Sequence, residues 1–472
     1  MNIKNGGQSF FIILIATFIL FTLSFVNWTD ITKKTFDTNK ESSFLKNFNI
    51  FSQLLPEDTT ITGNYIEIDP ALKEAMVAYT NNTQQNVRVD SITGDTIIDS
   101  AVIDIKKSII NGEIIIEDYS VSQKGMIKFK AALSQRNIRP VRIAIIGDSY
   151  IEGDIFTQNI REQLQTQYGG KGVGYVAIDC VSKKFRKSVE HISKGWSTST
   201  LMKKNVQDFF ILPGLYCKST SNSYASFSGS SSINNVDNWD NSKFIFISPE
   251  NSTIEINVGD GWTSHSITGS NNIQCISINK NTNKFEIKTS SKSIIGLGVW
   301  LNNNTGISID CMSLRGYSGI THNKINKQLS EQLSEFINYD LIIIEYGLNV
   351  LSAKNSNYDY YANRMVTVVN QIRSCHPNAD ILILGCGDRG IKNGNSIQSI
   401  KTTPSLISAQ REVARRSQCF FWDTREAMGG SNAVVDWCNN NDINKDYIHL
   451  SFKGGERLAN IFVKSLNTAI NE

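Results

Sequence analysis

Val141-Arg142-Ile143-Ala144-Ile145-Ile146-Gly147-Asp148-Ser149 is the stretch on which the fold turns. Apart from Arg142, its first six residues are apolar and mostly β-branched, and Gly147 closes the run. That length and composition predict a buried strand. After a turn, Phe156, Ile160, Leu164 and Tyr168 recur every four residues until Gly169-Gly170, which gives a helix with one apolar stripe. Working outward, the rhythm returns further down the chain. Leu341–Glu345, Ile381–Leu384 and Cys419–Trp422 read as strands, with helices over Tyr358–Ser374 and Pro404–Ser417 between them. A last helix carries Leu458, Phe462, Leu466 and Ile470 at intervals of four. Alternation of this kind predicts an α/β fold, a parallel sheet covered by helices on both faces. Upstream, Val121–Gln135 reads as a further helix that ends before Pro140.

One stretch breaks the rhythm. Between Gly214 and Ser308, 95 residues hold 19 Ser and 15 Asn and no helix stripe. Short strand candidates follow one another instead: Phe244–Ile247, Ile254–Val258, Ile276–Ile278, Phe285–Lys288 and Ile294–Trp300. Their spacing, with polar turns between, predicts an all-β sandwich inserted into the α/β domain.

The N-terminus has its own character. Phe10–Val26 is a run of 17 residues without a charge. As a helix it rises about 25 Å, near the lower limit for crossing a hydrocarbon core. No good small-x-small cleavage site ends it, and the first Cys is Cys180. It reads as an uncleaved signal anchor, an N-terminal transmembrane helix attaching the chain to a membrane, with a cleaved signal peptide as the next reading. Local charge opposes translocation, since Lys4 precedes the run while Lys33, Lys34, Lys40 and Lys46 follow it, but large domains cross largely regardless of such counts. The expected organisation is thus an anchor over 1–27, a stalk and extension over 28–120, the first α/β segment over 121–213, the β insert over 214–308 and the second α/β segment over 309–472.

Composition removes other classes. The 472 residues carry 47 Lys+Arg against 44 Asp+Glu, a net charge of +3, which lacks the basic footprint of a nucleic-acid partner. The eight Cys include no CxxC, and the five His (191, 265, 322, 376 and 449) are scattered without ligand spacing. Nothing here points to a metal or an organic cofactor.

Four short segments carry chemistry together. Ser149 stands at the end of the first strand, ahead of a helix whose N-terminal N–H groups favour an anion. Gly316-Tyr317-Ser318-Gly319 follows the strand-like Ile307–Cys311, and glycine there lets backbone N–H groups approach a ligand. Gly347-Leu348-Asn349 follows the strand Leu341–Glu345. Asp446-Tyr447-Ile448-His449 precedes the final helix, with a carboxylate three residues ahead of an imidazole that it can orient. Each is weak alone; their order along the chain is not.

That order resembles the SGNH (GDSL-type) hydrolase superfamily, over roughly 143–201 and 311–469. The resemblance implies an SGNH-type parallel sheet with Ser149 as nucleophile, Asp446 and His449 completing the catalytic triad, and an oxyanion hole built from Ser149, Gly319 and Asn349. Two positions depart from the family pattern: Tyr150 follows the serine where Leu is usual, and Val350 follows Asn349 where Asp is usual. Ser149 and Gly319 are 170 positions apart, far more than a plain domain of this kind needs, so the β insert falls between the first two blocks. With Gly147–Val176 and Phe421–Gly430, this arrangement resembles bacterial peptidoglycan O-acetylesterases, which carry a carbohydrate-binding-like β-sandwich there. The resemblance implies an O-acetylated glycan as substrate, no cofactor, and a site of action in the periplasm, on a chain anchored in the inner membrane. Trp239, Trp262 and Tyr224 are the expected sugar-stacking aromatics. Two other readings stay open: an O-acetyltransferase working with a membrane acyltransferase partner through the same triad, and a glycan-binding protein on a hydrolase scaffold without activity.

Overall fold

The computed structural model describes residues 71, 108–110, 112–204, 206–394 and 396–471. The apolar run Phe10–Val26 and most of the 28–120 extension lie outside the described residues. Among the described residues no helix is long and apolar enough to cross a membrane.

A small hairpin of β1 (Ile109–Ile110) and β2 (Glu113–Ile114) leads into β3 (Glu117–Asp118). The helix expected from Val121 starts only at Ile127, as α1 (Ile127–Ser134). Asp118 is the reason: its carboxylate accepts from Ser120 N and Gly125 N, both at 2.8 Å, and ties the intervening residues into a turn. Next comes β4 (Val141–Gly147), buried at every position, which explains its continuous apolar run. The chain does not pass from β4 straight into a helix. A 3₁₀ turn over Glu152–Asp154 intervenes, with Gly153 and Asp154 in the left-handed region, and α2 begins only at Thr157 (Thr157–Tyr168). The expected helix N-terminus is therefore not at Ser149. Asp154 is held in that conformation by Arg161, whose guanidinium meets both carboxylate oxygens at 2.6 and 2.9 Å with both side chains fully buried. Ser188 Oγ donates to the same carboxylate at 2.6 Å, and Arg161 Nε donates to Ile309 O at 3.0 Å.

The β-rich region contains β5 (Gly174–Val176), β6 (Val189–Thr200), β7 (Leu215–Gly229), β8 (Trp239–Ser248), β9 (Ser252–Asn257), β10 (Trp262–Ile267), β11 (Ser270–Thr282), β12 (Lys284–Thr289) and β13 (Ile295–Asn302). All nine belong to one continuous antiparallel sheet, in the order β10-β9-β12-β7-β13-β8-β11, with β6 on β7 and β5 on β13. Two separate sheets were expected. Continuity comes from β7, 15 residues long, which pairs with β13 near its start and with β12 along its end. The sheet also reaches back past Gly214 to β6 and β5. Polar residues such as Glu190, Ser193 and Lys194 hide β6 from a reading based on apolar alternation. A buried carboxylate joins this sheet to the α/β part: Asp310 accepts from Tyr175 N at 2.8 Å, Trp300 Nε1 at 2.9 Å and Tyr339 Oη at 2.8 Å.

The chain then returns to the first sheet with β14 (Ile307–Ser313), β15 (Leu341–Glu345), β16 (Asp380–Leu384) and, after the hairpin β17 (Gly390–Asn393) and β18 (Ser396–Ser399), β19 (Phe420–Trp422). Its order is β14-β4-β15-β16-β19-β3, parallel except for the edge strand β3. That is the doubly wound order 2-1-3-4-5, whose switch point lies beside β4. The intervening helices are α3 (Lys327–Leu333), α4 (Asp359–Cys375), α5 (Thr403–Arg416), α6 (Thr424–Met428), α7 (Ala433–Asn439) and α8 (Phe452–Asn471). α2 packs on α8, and α4 packs on α3 and α5. Right-handed crossovers running both ways from β4 set these groups on opposite faces. On α8, Leu458, Phe462 and Leu466 are buried, and Phe462 meets Phe156 and Trp422 edge-on at 5.8 and 5.1 Å. Each such side chain stabilises the fold by about 1.5–3 kcal/mol.

Arg161→Met should lose about 3–5 kcal/mol of stability in urea unfolding, because Asp154 would keep a buried charge without its bidentate partner. The double variant with Asp154→Leu should lose less than the sum of the two single losses.

Candidate active site

Ser149 lies just past the end of β4, half-buried, and its Oγ is 2.8 Å from His449 Nε2. His449 Nδ1 is 2.7 Å from Asp446 Oδ2. The other carboxylate oxygen of Asp446 accepts from Ile448 N at 2.9 Å and His449 N at 3.0 Å. Burial acts to raise the Asp446 carboxyl, but the His449 ring and these two N–H donors outweigh it and hold its pKa below the usual value. An ionised carboxylate on Nδ1 fixes the imidazole tautomer in which Nε2 is free to accept the serine proton. The turn that presents this pair is closed by Tyr447 N donating to Asn444 O and Asn444 N donating to His449 O, at 2.9 and 2.8 Å. Tyr447 takes φ +63° within it, a left-handed conformation that a bulky residue adopts only where its surroundings impose it.

Two further loops end at the same edge of the sheet. β14 leads into Gly316 and Gly319, both at positive φ, and a Cβ on Gly319 would stand 2.5 Å from the Tyr346 ring. Only glycine fits there. β15 leads into Asn349, whose Nδ2 donates to Asp148 Oδ2 at 2.9 Å and to Tyr317 O at 3.2 Å. Thus Asn349 links the loop carrying Gly319 to the residue before Ser149, and both its amide hydrogens have protein acceptors. The structure brings Ser149, Asp446 and His449 into one hydrogen-bonded chain and sets Asn349 against Asp148.

Beneath Ser149 lie two buried carboxyls that spacing did not single out. Burial pushes Asp148 up to about 6, against the Tyr150 N–H, His449 and Asn349, which favour its charged form. Burial and then the Asp148 charge push Glu345 well above the usual carboxylate range. A Cβ on Gly147 would lie 2.6 Å from Glu345 O and 2.8 Å from its Oε2, so the strand end must be glycine for the two chains to approach. Tyr150, which replaces the usual Leu, is buried, with its hydroxyl against Met428 Sδ at 3.5 Å; Gly387 leaves room for it, since a Cβ there would be 2.7 Å from Tyr150 Oη. Arg389, also not singled out, reaches into the same group of loops: its Nη1 donates to Leu348 O at 3.1 Å.

The expected sugar-stacking aromatics divide. Trp239 is fully buried with Nε1 donating to Ser242 Oγ at 2.7 Å, so it is core and offers no face to a sugar. Trp262 is exposed on β10, its ring 6.3 Å from that of Tyr224 and covered on one side by Lys288 Nζ at 4.3 Å. Tyr224 Oη donates to Glu286 Oε1 at 2.6 Å. His322 is buried, held by Leu212 O at 2.7 Å and packed beside Tyr317 and Tyr346, and burial lowers its pKa to about 4. It supports the Gly319 loop as a neutral ring. Asp423 caps α6 by accepting from Glu426 N and pairs with Arg411, while Trp422 is buried. All eight cysteines are free thiols.

Residues 296–457 match the GDSL-like Lipase/Acylhydrolase family. That span holds Gly319, Asn349, Asp446 and His449; Ser149 lies ahead of it, across the β-rich region. Among solved structures, a peptidoglycan O-acetylesterase is 25% identical, with 75% of this chain and 99% of that one covered and a TM-score of 0.63. The Bacillus subtilis protein YxiM is 9% identical over 59% of this chain and 90% of that one, with a TM-score of 0.30. A family two carbohydrate esterase from Cellvibrio japonicus is 12% identical over 60% and 98%, with a TM-score of 0.26. No curated protein matches the sequence. With its 2-1-3-4-5 sheet, its four blocks in order, the family match over 296–457 and the likeness to the O-acetylesterase structure, the chain is similar to SGNH (GDSL-type) hydrolases and resembles a peptidoglycan O-acetylesterase.

Proposed function

We propose that this chain is a serine esterase that removes O-acetyl groups from an extracytoplasmic polysaccharide, peptidoglycan, through an acetyl-enzyme. The observation that carries the reading is the relay from Ser149 Oγ to His449 Nε2 at 2.8 Å and from His449 Nδ1 to Asp446 at 2.7 Å. Its support on substrate is the likeness to a peptidoglycan O-acetylesterase over nearly all of that protein's length.

In this mechanism His449 Nε2 takes the Ser149 proton as Oγ bonds to the acetyl carbon. The carbonyl electrons move onto oxygen, and collapse of that oxyanion breaks the bond to the sugar oxygen, which leaves with the proton from His449. Water then gives a proton to His449 and attacks the acetyl-enzyme, releasing acetate and restoring Ser149 Oγ–H. The oxyanion is received by the Ser149 and Gly319 N–H groups and by Asn349 Nδ2. Asn349 is pinned beforehand by Asp148, and its longer contact, to Tyr317 O, is the one that yields. One oxyanion donor contributes about 3–4 kcal/mol to the rate. Phe10–Val26 anchors the chain in the inner membrane with this site on the periplasmic side.

Ser149→Ala should lower hydrolysis of 4-nitrophenyl acetate and acetate release from O-acetylated peptidoglycan by a factor on the order of 10⁴ or more, with unchanged thermal unfolding. His449→Ala should be comparably damaging. Undiminished turnover by purified Ser149→Ala would remove the serine from the nucleophile role, and activity on the small ester alone would remove peptidoglycan as substrate.

Asn349→Ala should lower kcat on the small ester on the order of 10²–10³-fold, with KM changed far less, because the donor acts on a charge that exists only in the transition state. A raised KM with kcat unchanged would assign Asn349 to ground-state binding.

The full chain should sediment with membranes and resist carbonate extraction, and protease added to spheroplasts should digest the catalytic part. Protection from that protease would place the site in the cytoplasm and sink the wall-polymer reading.

A further inference from the structure

Arg389 lies in the loop that leaves β16, on the edge of the sheet where Ser149 and Asn349 stand. Its main chain is fixed on both sides. Ile400 N donates to Arg389 O at 3.0 Å, and Gly390 N donates to Tyr447 O at 2.9 Å, inside the turn that carries Asp446 and His449. The neighbouring carboxylate, Asp388, is engaged elsewhere, by Ser399 Oγ at 2.5 Å, Val434 N at 3.0 Å and Arg425 Nε at 3.3 Å. Arg389 is therefore held in place by its backbone, without a carboxylate to neutralise it.

The guanidinium itself is half-buried. Nη1 donates to Leu348 O at 3.1 Å and Leu351 O at 3.5 Å, which anchors it against the residue next to Asn349. Nε is buried with no acceptor at all, an arrangement that costs free energy in a folded chain. Burial lowers the Arg389 pKa, opposed by the charges of Cys386, Asp446 and Tyr358. By contrast, Arg161, Arg411 and Arg425 each meet a carboxylate. A planar cation with a free donor edge, set rigidly beside a catalytic group, is suited to a carboxylate arriving with a substrate.

We propose that Arg389 is a substrate-positioning residue that binds a carboxylate borne on the acetylated sugar and so places the ester at Ser149. The proposal rests on the glycan-esterase reading for the identity of the substrate. A muramyl sugar whose lactyl ether acid carries no stem peptide has this chemistry; a sugar with that acid amidated, or a neutral acetylated glycan, does not.

The test uses the full chain and two competitive inhibitors of 4-nitrophenyl acetate hydrolysis, N-acetylmuramic acid and its methyl ester. The wild type should be inhibited at least tenfold more strongly by the acid. Arg389→Met should lose that preference, and Arg389→Lys should keep part of it. On O-acetylated peptidoglycan glycan freed of its stem peptides, Arg389→Met should raise KM tenfold or more and change kcat much less, and the loss of kcat/KM should exceed that on the neutral ester by tenfold. No preference in the wild type, or the same preference in Arg389→Met, overturns the proposal. So does equal loss on both substrates, which would make Arg389 a brace for the Asn349 loop. Should the small ester not be turned over, calorimetric titration with the acid and its methyl ester makes the same comparison. Carboxylate preference without acetate release from the polymer sinks the esterase reading alone; acetate release without preference sinks this proposal alone.

Discussion

The structure depends on the parallel pairing of β4 with β14 on one side and β15 on the other. Because all three strands run the same way, their C-terminal ends open at one edge. The loops leaving them carry Ser149, Gly319 and Asn349, from positions 170 and 30 residues apart in the chain. No sequence-local interaction could bring these together. Pairing at the switch point does so through main-chain hydrogen bonds, which tolerate almost any side chain and so leave the loops free to specialise. At the end of β4, glycine at 147 lets the strand approach Glu345 closely.

The same edge concentrates groups that a stable fold would otherwise avoid. Asp148 and Glu345 are buried carboxyls, and burial raises the pKa of both. Tyr447 is held in a left-handed conformation, and Arg389 leaves a buried donor unpaired. Strain of this kind persists only where the surroundings over-determine it. Here the surroundings are rigid: β4 and β15 are buried throughout, and α8 packs on α2 through Phe462 and Phe156. Asp148 then has a reason to be buried. Its charged oxygen fixes the Asn349 amide before any substrate arrives, which lowers the reorganisation needed when an oxyanion forms.

Much of this was legible in the chain. Strands buried on both faces read as continuous apolar runs, and helices with one apolar stripe read by their four-residue spacing, so β4, β15, β16, α2 and α8 follow from pattern alone. The four chemical blocks follow from residue type and order. What pattern could not show were long-range polar contacts. Asp118 shortens α1 by capturing Ser120 and Gly125, Asp154 and Gly153 delay α2, and neither carboxylate advertises its partner in the local sequence. β6 was missed because polar residues such as Glu190 and Lys194 interrupt it and Val189 alone is buried along its length. Trp239 looked like a binding residue because type is visible in sequence and burial is not.

Those polar contacts also decide how the β-rich region should be regarded. A module added to a finished domain would be expected to meet it across a modest, mainly exposed interface. Here the joints are buried. Asp310 on β14 receives Tyr175 N, next to the start of the nine-stranded sheet, and Trp300 Nε1 near its end. Asp154, five residues after Ser149, receives Ser188 Oγ just ahead of β6, and Arg186 approaches it at 3.3 Å. Removing the whole β-rich region, from β5 to β13, would leave Asp310 and Asp154 short of donors in a dry environment, a penalty of several kcal/mol at each. Asp154 also shapes the segment that follows the serine, so the loss would reach the catalytic loop whatever the substrate. The β-rich region that begins at β5 is thus joined to the segment that follows Ser149, and any contribution to glycan recognition must be sought at exposed positions such as Trp262, by point substitution rather than by excision of the whole region.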